Sequence, residues 1–430
     1  MYLSWPSVAL MAVAVPLAVV TARPETVWAW LVLVLLAVVL DVALTPSPRR
    51  LGARRTLEGS VRRLEPTTST LDVANPTGRH VRGLVRDAWQ PSAGATGDRH
   101  PLDLPPGEMR RLRTTLAPSR RGDLHAGPVV VRVNGPLHLA GRQLSIPVPA
   151  TLRVLPEFAS RRHLPSRLAR LRELDGRSAV RVRGAGSEFD SLREYVIGDD
   201  VRSIDWRATA RRSDVVVRTW RPERDRRVLI VVDTSRHAAA RVGDQPRIDT
   251  SIEATLLLAA LASKAGDRVE VIAFDRTVRA RVRGLSGPAL MSALANHLAP
   301  LEPRLIEADW TAVASVVDEA LGQRALVVVL TSIDPAAVES GMLRALGPVA
   351  KKHQVVVASV DDPDVIALMS LRDDALDVYG AAAATRFDLE RKGISERLRK
   401  SGIDVVSGGP EEIAPRLADR YLELKAAGRL

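Results

Sequence analysis

The sequence predicts a multidomain α/β plus β protein, with an N-terminal transmembrane helical hairpin, a small β-sandwich and a doubly wound α/β domain. Three observations point there. The chain opens on two nearly uncharged apolar segments. Short β-branched runs broken by Pro, Gly and Asn follow, and from Val228 onward continuous apolar runs alternate with segments of helical period. A length of 430 residues suits two or three such domains.

Trp5 to Thr21 carries no charge, and Val27 to Leu44 carries only Asp41. Each is about 17–18 residues, the lower end of what crosses a bilayer as a helix. The short link between them permits a tight hairpin, so residues 1–45 are expected to cross twice. A cleaved signal peptide is the competing reading, and the absence of a basic leading region argues against it. Arg49, Arg50, Arg54 and Arg55 follow the second span, while the link has one Arg. By the positive-inside rule both chain ends then face the cytoplasm. The expected location is the inner (plasma) membrane, with the lipid bilayer as a partner and the soluble domains cytoplasmic.

Residues 57–155 read as the β-sandwich, about seven strands with Val and Leu inward. No catalytic grouping shows there, and a scaffold or binding role is expected. Residues 156–227 form a helical linker followed by a charged module. The formal charge of +12 originates in the middle of the chain: Pro46 to Arg226 holds 35 Arg against 20 acidic residues. No helix-turn-helix, zinc finger or stacking motif accompanies that charge, and aromatics make up 3% of the chain, so a nucleic-acid partner is not expected. With no cysteine, disulfides, thiolate metal sites and cysteine nucleophiles are excluded.

The charged module begins GAGSEFDSLREYVIGDDVRSIDWRATARR at Gly184. Glu188 to Tyr195 reads as helix-like, and Trp206 as a buried anchor among alternating carboxylates and arginines. The motif Gly184-x-Gly186-x-Glu188-Phe189, then Arg193, Tyr195, Gly198-Asp199-Asp200, Arg202, Asp205-Trp206 and Arg211 resembles the bacterial domain-of-unknown-function family fifty-eight. That resemblance implies a membrane-anchored protein with a von Willebrand A-like domain after the signature, working beside a MoxR-type AAA+ ATPase. It implies no reaction.

Residues 228–383 supply the doubly wound domain, with buried strands at Val228–Val232, Ala325–Leu330 and Gln354–Val360 and helices between them. Residues 384–430 are expected as a C-terminal helical extension. In open α/β sheets ligands sit at the carboxyl ends of strands. There the first strand ends on Asp233-Thr234-Ser235-Arg236-His237. The resemblance implies an adhesion-type metal site at this place, with Asp-x-Ser-x-Ser plus a later Thr and Asp. Asp233 and Ser235 match, His237 replaces the second Ser, and Ala308 stands for the Thr. Asp334 is displaced by about a residue, and Asp309 is a further helper. A hard cation prefers oxygen donors, so this degenerate set of Asp233, Ser235 and Asp334 is expected to hold Mg²⁺ weakly or not at all. Asp233 would then cap the following helix.

No Walker A, zinc-protease spacing or Gly-x-Ser-x-Gly occurs, and Phe189 stands where a dinucleotide fingerprint needs its third Gly. The expectation is a non-enzymatic, membrane-anchored cytoplasmic scaffold or protein-interaction protein, acting with a MoxR-type ATPase in complex assembly or envelope maintenance. The alternative is a cryptic metal-dependent hydrolase using Asp199, Asp200 and Asp205.

Overall fold

Pro16 has no backbone N–H to give to Ala12, and the first apolar segment breaks there. In the computed structural model it forms two helices, α1 (Trp5–Ala12) and α2 (Ala14–Thr21), preceded by a two-residue strand β1 (Tyr2–Leu3). The second segment is one unbroken helix, α3 (Pro24–Leu44), of 21 residues. At 1.5 Å per residue it is about 31 Å long, the thickness of a bilayer's hydrocarbon core. The structure describes residues 1–57, 59–181, 188–197, 199–211, 214–221, 226–335 and 341–430. Two compact units divide the chain, Met1–Leu155 and Pro156–Leu430.

In the first unit α3 is long and apolar enough to span a membrane. Val32, Leu33, Leu35, Leu36, Val39 and Leu40 leave its outer face exposed and apolar. Trp30 Nε1 donates to Leu10 O at 2.9 Å, tying α1 to α3. Asp41, the one charge between Val27 and Leu44, is fully buried. Its carboxylate accepts the backbone N–H groups of Leu137, Leu139 and Ala140 at 2.7–2.8 Å. The close approach requires Gly135, where a Cβ would lie 2.2 Å from Asp41 Oδ1.

Ten more strands form a two-sheet sandwich. One sheet runs β2 (Gly52–Leu57), β4 (Thr67–Ala74), β8 (Met109–Leu116), β6 (Ala95–Thr96). The other runs β1, β10 (Ala140–Ile146), β9 (Gly122–Asn134), β11 (Thr151–Leu155), β3 (Ser60–Arg62), with β5 (Val81–Trp89) also on β9 and β7 (Arg99–Leu104) on β5. Alternation sends Leu71, Val73 and Leu112 inward from the first sheet. Val81, Val85, Val129, Val131 and Val133 come from the second, giving one core. The first strand starts at Gly52, earlier than the expected Leu57. Arg55 is the reason: it is buried, and Asp87 accepts from its Nε and Nη2 at 2.9 and 2.6 Å. A basic residue taken as a membrane-side charge is thus part of the sandwich core.

In the second unit the linker is helix α4 (Leu164–Arg181). Its Leu171 is buried in the core below, and Arg167 pairs with Asp419 at 2.7 Å. The segment expected to be helical from Glu188 is instead strand β12 (Glu188–Glu194), antiparallel to β13 (Val216–Arg221). Pairing with a β-branched partner strand overrides the helix-like local pattern. Between them lies the one-turn helix α5 (Trp206–Thr209).

A six-stranded sheet follows, in the order β18, β17, β14, β19, β20, β21. Its strands are β14 (Arg227–Asp233), β17 (Arg268–Phe274), β18 (Val278–Val282), β19 (Leu326–Leu330), β20 (Gln354–Val360) and β21 (Ile403–Gly408). All are parallel except β18 at the edge. Helix α6 (Arg236–Ala239) and a minimal hairpin, β15 (Arg241–Val242) and β16 (Gln245–Pro246), follow β14. Val228, Ile230 and Val232 pack against α7 (Arg247–Lys264) and α8 (Gly287–Leu298) on one face. Leu229 and Val231 meet α9 (Trp310–Ala320) and α10 (Met342–Lys352) on the other. The short α11 (Pro363–Leu368) and the long α12 (Ala375–Lys400) lead to β21. The last helix, α13 (Ile413–Ala426), packs beside α7. There Asp267 accepts from Tyr421 Oη at 2.5 Å and pairs with Lys425 at 2.8 Å. Residues 384–430 therefore supply a strand and a core helix of this unit.

Candidate functional site

Parallel strands aim their carboxyl ends at one crest, and here that crest gathers Asp233, Asp275, Thr331, Asp334 and Asp361 from successive loops. Asp233 is buried. Its Oδ1 accepts the backbone N–H of Ser235 at 2.7 Å and its Oδ2 accepts the Thr331 hydroxyl at 2.6 Å. Burial raises its pKa against the opposing pull of the Thr331 hydroxyl. The Ser235 hydroxyl, also buried, makes no well-formed hydrogen bond.

His237 occupies the middle of the crest. Its Nδ1 lies 3.1 Å from Asp334 Oδ2, and its Nε2 lies 3.4 Å from Glu307 Oε2. The hydrogen bond to Asp334 raises the imidazole's pKa above the ordinary value, against burial. Arg236 pairs with the other Glu307 oxygen at 2.7 Å. Arg247 donates to the His237 carbonyl at 2.9 Å, and burial pulls its pKa down. Asp275 is fully buried beside this group. Burial pushes its pKa up, but Arg279 at 2.9 Å and the N–H groups of Arg276 and Thr277 outweigh that and hold it low. Arg391 pairs with Asp361 at 2.6 Å. The crest is a mesh of carboxylates closed by the chain's own cations.

The donor set does not fit a hard divalent cation. Both oxygens of Asp233 already accept hydrogen bonds, and the His237 ring, held by Asp334 through Nδ1, stands where a hydroxyl is needed. Ala308 contributes only a buried methyl beside Trp310. Asp309 points elsewhere: it caps α9 by accepting the Ala312 N–H at 3.0 Å. Asp233 itself serves the turn into α6, whose N-cap is Ser235. Among the described residues no three His, Asp or Glu side chains converge as metal ligands. The space between Asp233, Phe274, Ala308 and Trp310 is about 10 Å³. That is room for one water at most. A cleft of about 370 Å³ lies at the opposite ends of the strands, between Asp318, Arg324, Lys352 and His353.

In the signature module Gly184, Gly186 and Gly198 lie outside the described residues. Glu188 and Phe189 sit in β12, opposite Arg221 and Trp220 in β13. Arg193 pairs with Asp199 at 2.5 Å, which also accepts the Val196 N–H. Asp200 accepts the Arg202 N–H at 3.0 Å and so starts a 3₁₀ turn. Asp205 caps α5 through the N–H groups of Arg207 and Ala208 and pairs with Arg218 at 2.8 Å. Arg218 first, then the Ala208 N–H, holds the Asp205 carboxyl below its usual range. Asp199, Asp200 and Asp205 thus each shape the backbone of this loop. Tyr195 is half-buried, and Arg202 and Arg211 are exposed. Trp206, expected as a buried anchor, is 68% exposed. It stands at the first position of a one-turn helix. Asp275 and Glu307 were missed in the sequence. The signal for Asp275 is a carboxylate directly after the apolar run Val271–Phe274, as at Asp233.

The class these features define is a mixed α/β protein with an apolar N-terminal helix, a β-sandwich and a parallel sheet covered on both faces. Residues 191–399 match the family model described as "Protein of unknown function DUF58". Uncharacterized proteins of Mycobacterium tuberculosis and Mycobacterium bovis are 24% identical over 212 residues, 49% of this chain and 66% of theirs. The match thus covers about two thirds of those relatives' length. Among solved structures, a CARDB domain from Pyrococcus furiosus, in complex with di-metal ions, is 15% identical. It covers 26% of this chain and 91% of its own, with a TM-score of 0.20. A FixG-related protein from Vibrio parahaemolyticus is 14% identical, covering 24% and 96%, with a TM-score of 0.16.

Proposed function

We infer that this chain is a membrane-anchored interaction protein of the family fifty-eight type, a scaffold that binds another protein from the cytoplasmic face. The observation that carries the reading is the closure of the sheet's carboxyl crest. His237 lies 3.1 Å from Asp334 and 3.4 Å from Glu307, Arg236 pairs with Glu307, and Asp233 accepts from the Thr331 hydroxyl and the Ser235 N–H, so each of these groups is engaged within the protein. A sheet covered on both faces, with Asp233-x-Ser235 at the end of its first strand, supports a von Willebrand A-like assignment. Two membrane passes are supported by the anchoring of both hairpin ends. The Ser4 N–H bonds Leu139 O, and Asp41 accepts the N–H of Leu139, so the chain leaves and rejoins the same β-turn. With Arg49 and Arg50 at that end, the soluble part is assigned to the cytoplasm. The resemblance supplies a MoxR-type AAA+ ATPase as partner, and with it complex assembly or envelope maintenance. Crosslinking of the full chain in its native membrane tests this. An AAA+ ATPase adduct is expected. Hydrolytic turnover lost on replacing Asp199, Asp200 or Asp205, with no protein adduct, would replace the reading.

A further inference from the structure

The end of the sandwich that receives the hairpin is locked to α3. Asp41, in the last turn of that helix, accepts the Leu137 N–H at 2.7 Å, and Arg79 Nη2 donates to the Leu44 carbonyl at 2.6 Å. From the other end of the hairpin Ser4 Oγ donates to Leu139 O at 2.8 Å. Three turns therefore ring the helix's end: residues 135–139, residues 75–80 and the 3₁₀ turn Pro48–Arg50. Every residue of these turns is described. Leu137 stands half exposed beside Asp41, and Trp5 is exposed at the start of α1.

The charge at this end is one-sided. Arg49 and Arg50 are exposed, and among the described residues neither guanidinium has an ion-pair or hydrogen-bond partner. β10 packs beside their turn, and its Arg142 Nε is buried with no hydrogen-bond partner among the described residues. Arg132 lies over the Tyr2 ring, 5.4 Å from its centroid. The acids are already matched. Asp41 holds three backbone N–H groups, Asp72 pairs with Arg111, and Asp103 pairs with His80 and Arg82. Among the described residues of this end, exposed Glu108 alone remains to set against Arg49, Arg50, Arg79, Arg132 and Arg142. Like charges gathered in this way repel one another, and a counter-anion relieves the repulsion. We propose that this end of the sandwich is a collar for anionic phospholipid headgroups, with Arg49 and Arg50 on the phosphates and Leu137 at the acyl boundary. Position and charge together choose the occupant. A helix of bilayer length ends inside the collar, so headgroups meet these arginines as soon as the chain is inserted. Each cation near an anionic surface favours it by roughly fivefold. A second copy would bring arginines against arginines. The inference rests on the membrane-anchored reading above and gives the anchor a lipid class.

The test is native mass spectrometry of the full chain released from micelles that hold equal amounts of phosphatidylglycerol and phosphatidylcholine. The expected result is a preference for bound phosphatidylglycerol of about tenfold or more. Arg49→Gln/Arg50→Gln should bring the two lipids close to equal retention, while Arg49→Lys/Arg50→Lys keeps the preference. Neither arginine has a partner to lose in the fold, so amide exchange of β5 and β9 in both variants should match the parent. Arg120→Gln/Arg121→Gln, at the opposite end of the sandwich, should leave the preference unchanged. Equal retention of the two lipids by the parent overturns the proposal. So does a preference that survives Arg49→Gln/Arg50→Gln or that falls as far in Arg120→Gln/Arg121→Gln, and so does a second copy retained in place of lipid. Flotation of the parent with phosphatidylcholine vesicles after detergent removal tests the anchor separately. Flotation without any lipid preference strikes the collar and leaves the anchor standing, and no flotation removes both.

Discussion

Asp87→Asn removes one charge from the sandwich core and leaves its volume almost unchanged. In the native unit the carboxylate takes four donors: Arg55 Nε and Nη2 at 2.9 and 2.6 Å, the Ser69 hydroxyl at 3.0 Å and Trp89 Nε1 at 3.3 Å. Both charged side chains are wholly inaccessible to water. An amide keeps one acceptor for Arg55 but turns an NH₂ toward the Trp89 N–H, donor against donor. Arg55 is then a buried, unneutralised cation, and breaking such a pair costs about 3–5 kcal/mol. Replacing both partners by apolar residues, Arg55→Met with Asp87→Leu, should cost far less, because no charge is stranded. A melt of the whole chain would mix two units. Amide hydrogen exchange of β4, β5 and β9, on the full chain in micelles, isolates the sandwich. Protection in Asp87→Asn within about 0.5 kcal/mol of the parent would refute the reasoning, as would a double variant worse than the single one.

Three further expectations follow from the crest, the membrane end and the signature loop. The imidazole of His237 has its pKa raised above 6.5 mainly by Asp334, so its contribution is full below that value and is lost as pH rises through the higher folded value. The stability gap between the parent and His237→Gln should therefore close from mildly acid to alkaline pH, read from amide hydrogen exchange of β14, β19 and β20, and a gap that widens contradicts the assignment. A cytoplasm-active reporter fused after Leu430 should be functional, and activity of a periplasm-specific one there would reverse the topology. Trp206→Ala should shift stability by no more than about 0.5 kcal/mol, since the ring is mostly in solvent; chemical denaturation showing a loss of several kcal/mol would mean the ring is packed.

Periodicity read the sheet and its helices well. Val228–Val232, Ala325–Leu330 and Gln354–Val360 are apolar on both faces, and only a strand between two helical layers buries such a run. The sandwich was legible through alternation, but its edge was not. Arg55 reads as a surface charge until Asp87, far along the chain, is placed opposite it. At the crest Asp233 and Ser235 were visible because they directly follow a buried strand. The pairing of His237 with Asp334 and Glu307 was not, since three loops converge on it only in the folded sheet. In the signature the alternating charges suggested a packed anchor at Trp206. The acids are spent instead on local backbone caps, and the apolar side chains are left outside. Sequence showed which residue types are present there, and only the strand pairing of β12 with β13 shows where they face.

The central claim is that the chain binds a protein partner without a bridging metal, because its own cations close the sheet's crest. It is tested most directly by crosslinked co-purification of the full chain from native membranes, in parallel with and without a chelator. A discrete protein partner recovered in equal yield from both is the predicted result. A partner lost on chelation and restored by Mg²⁺, with the restoration abolished by Asp233→Ala, would contradict the account.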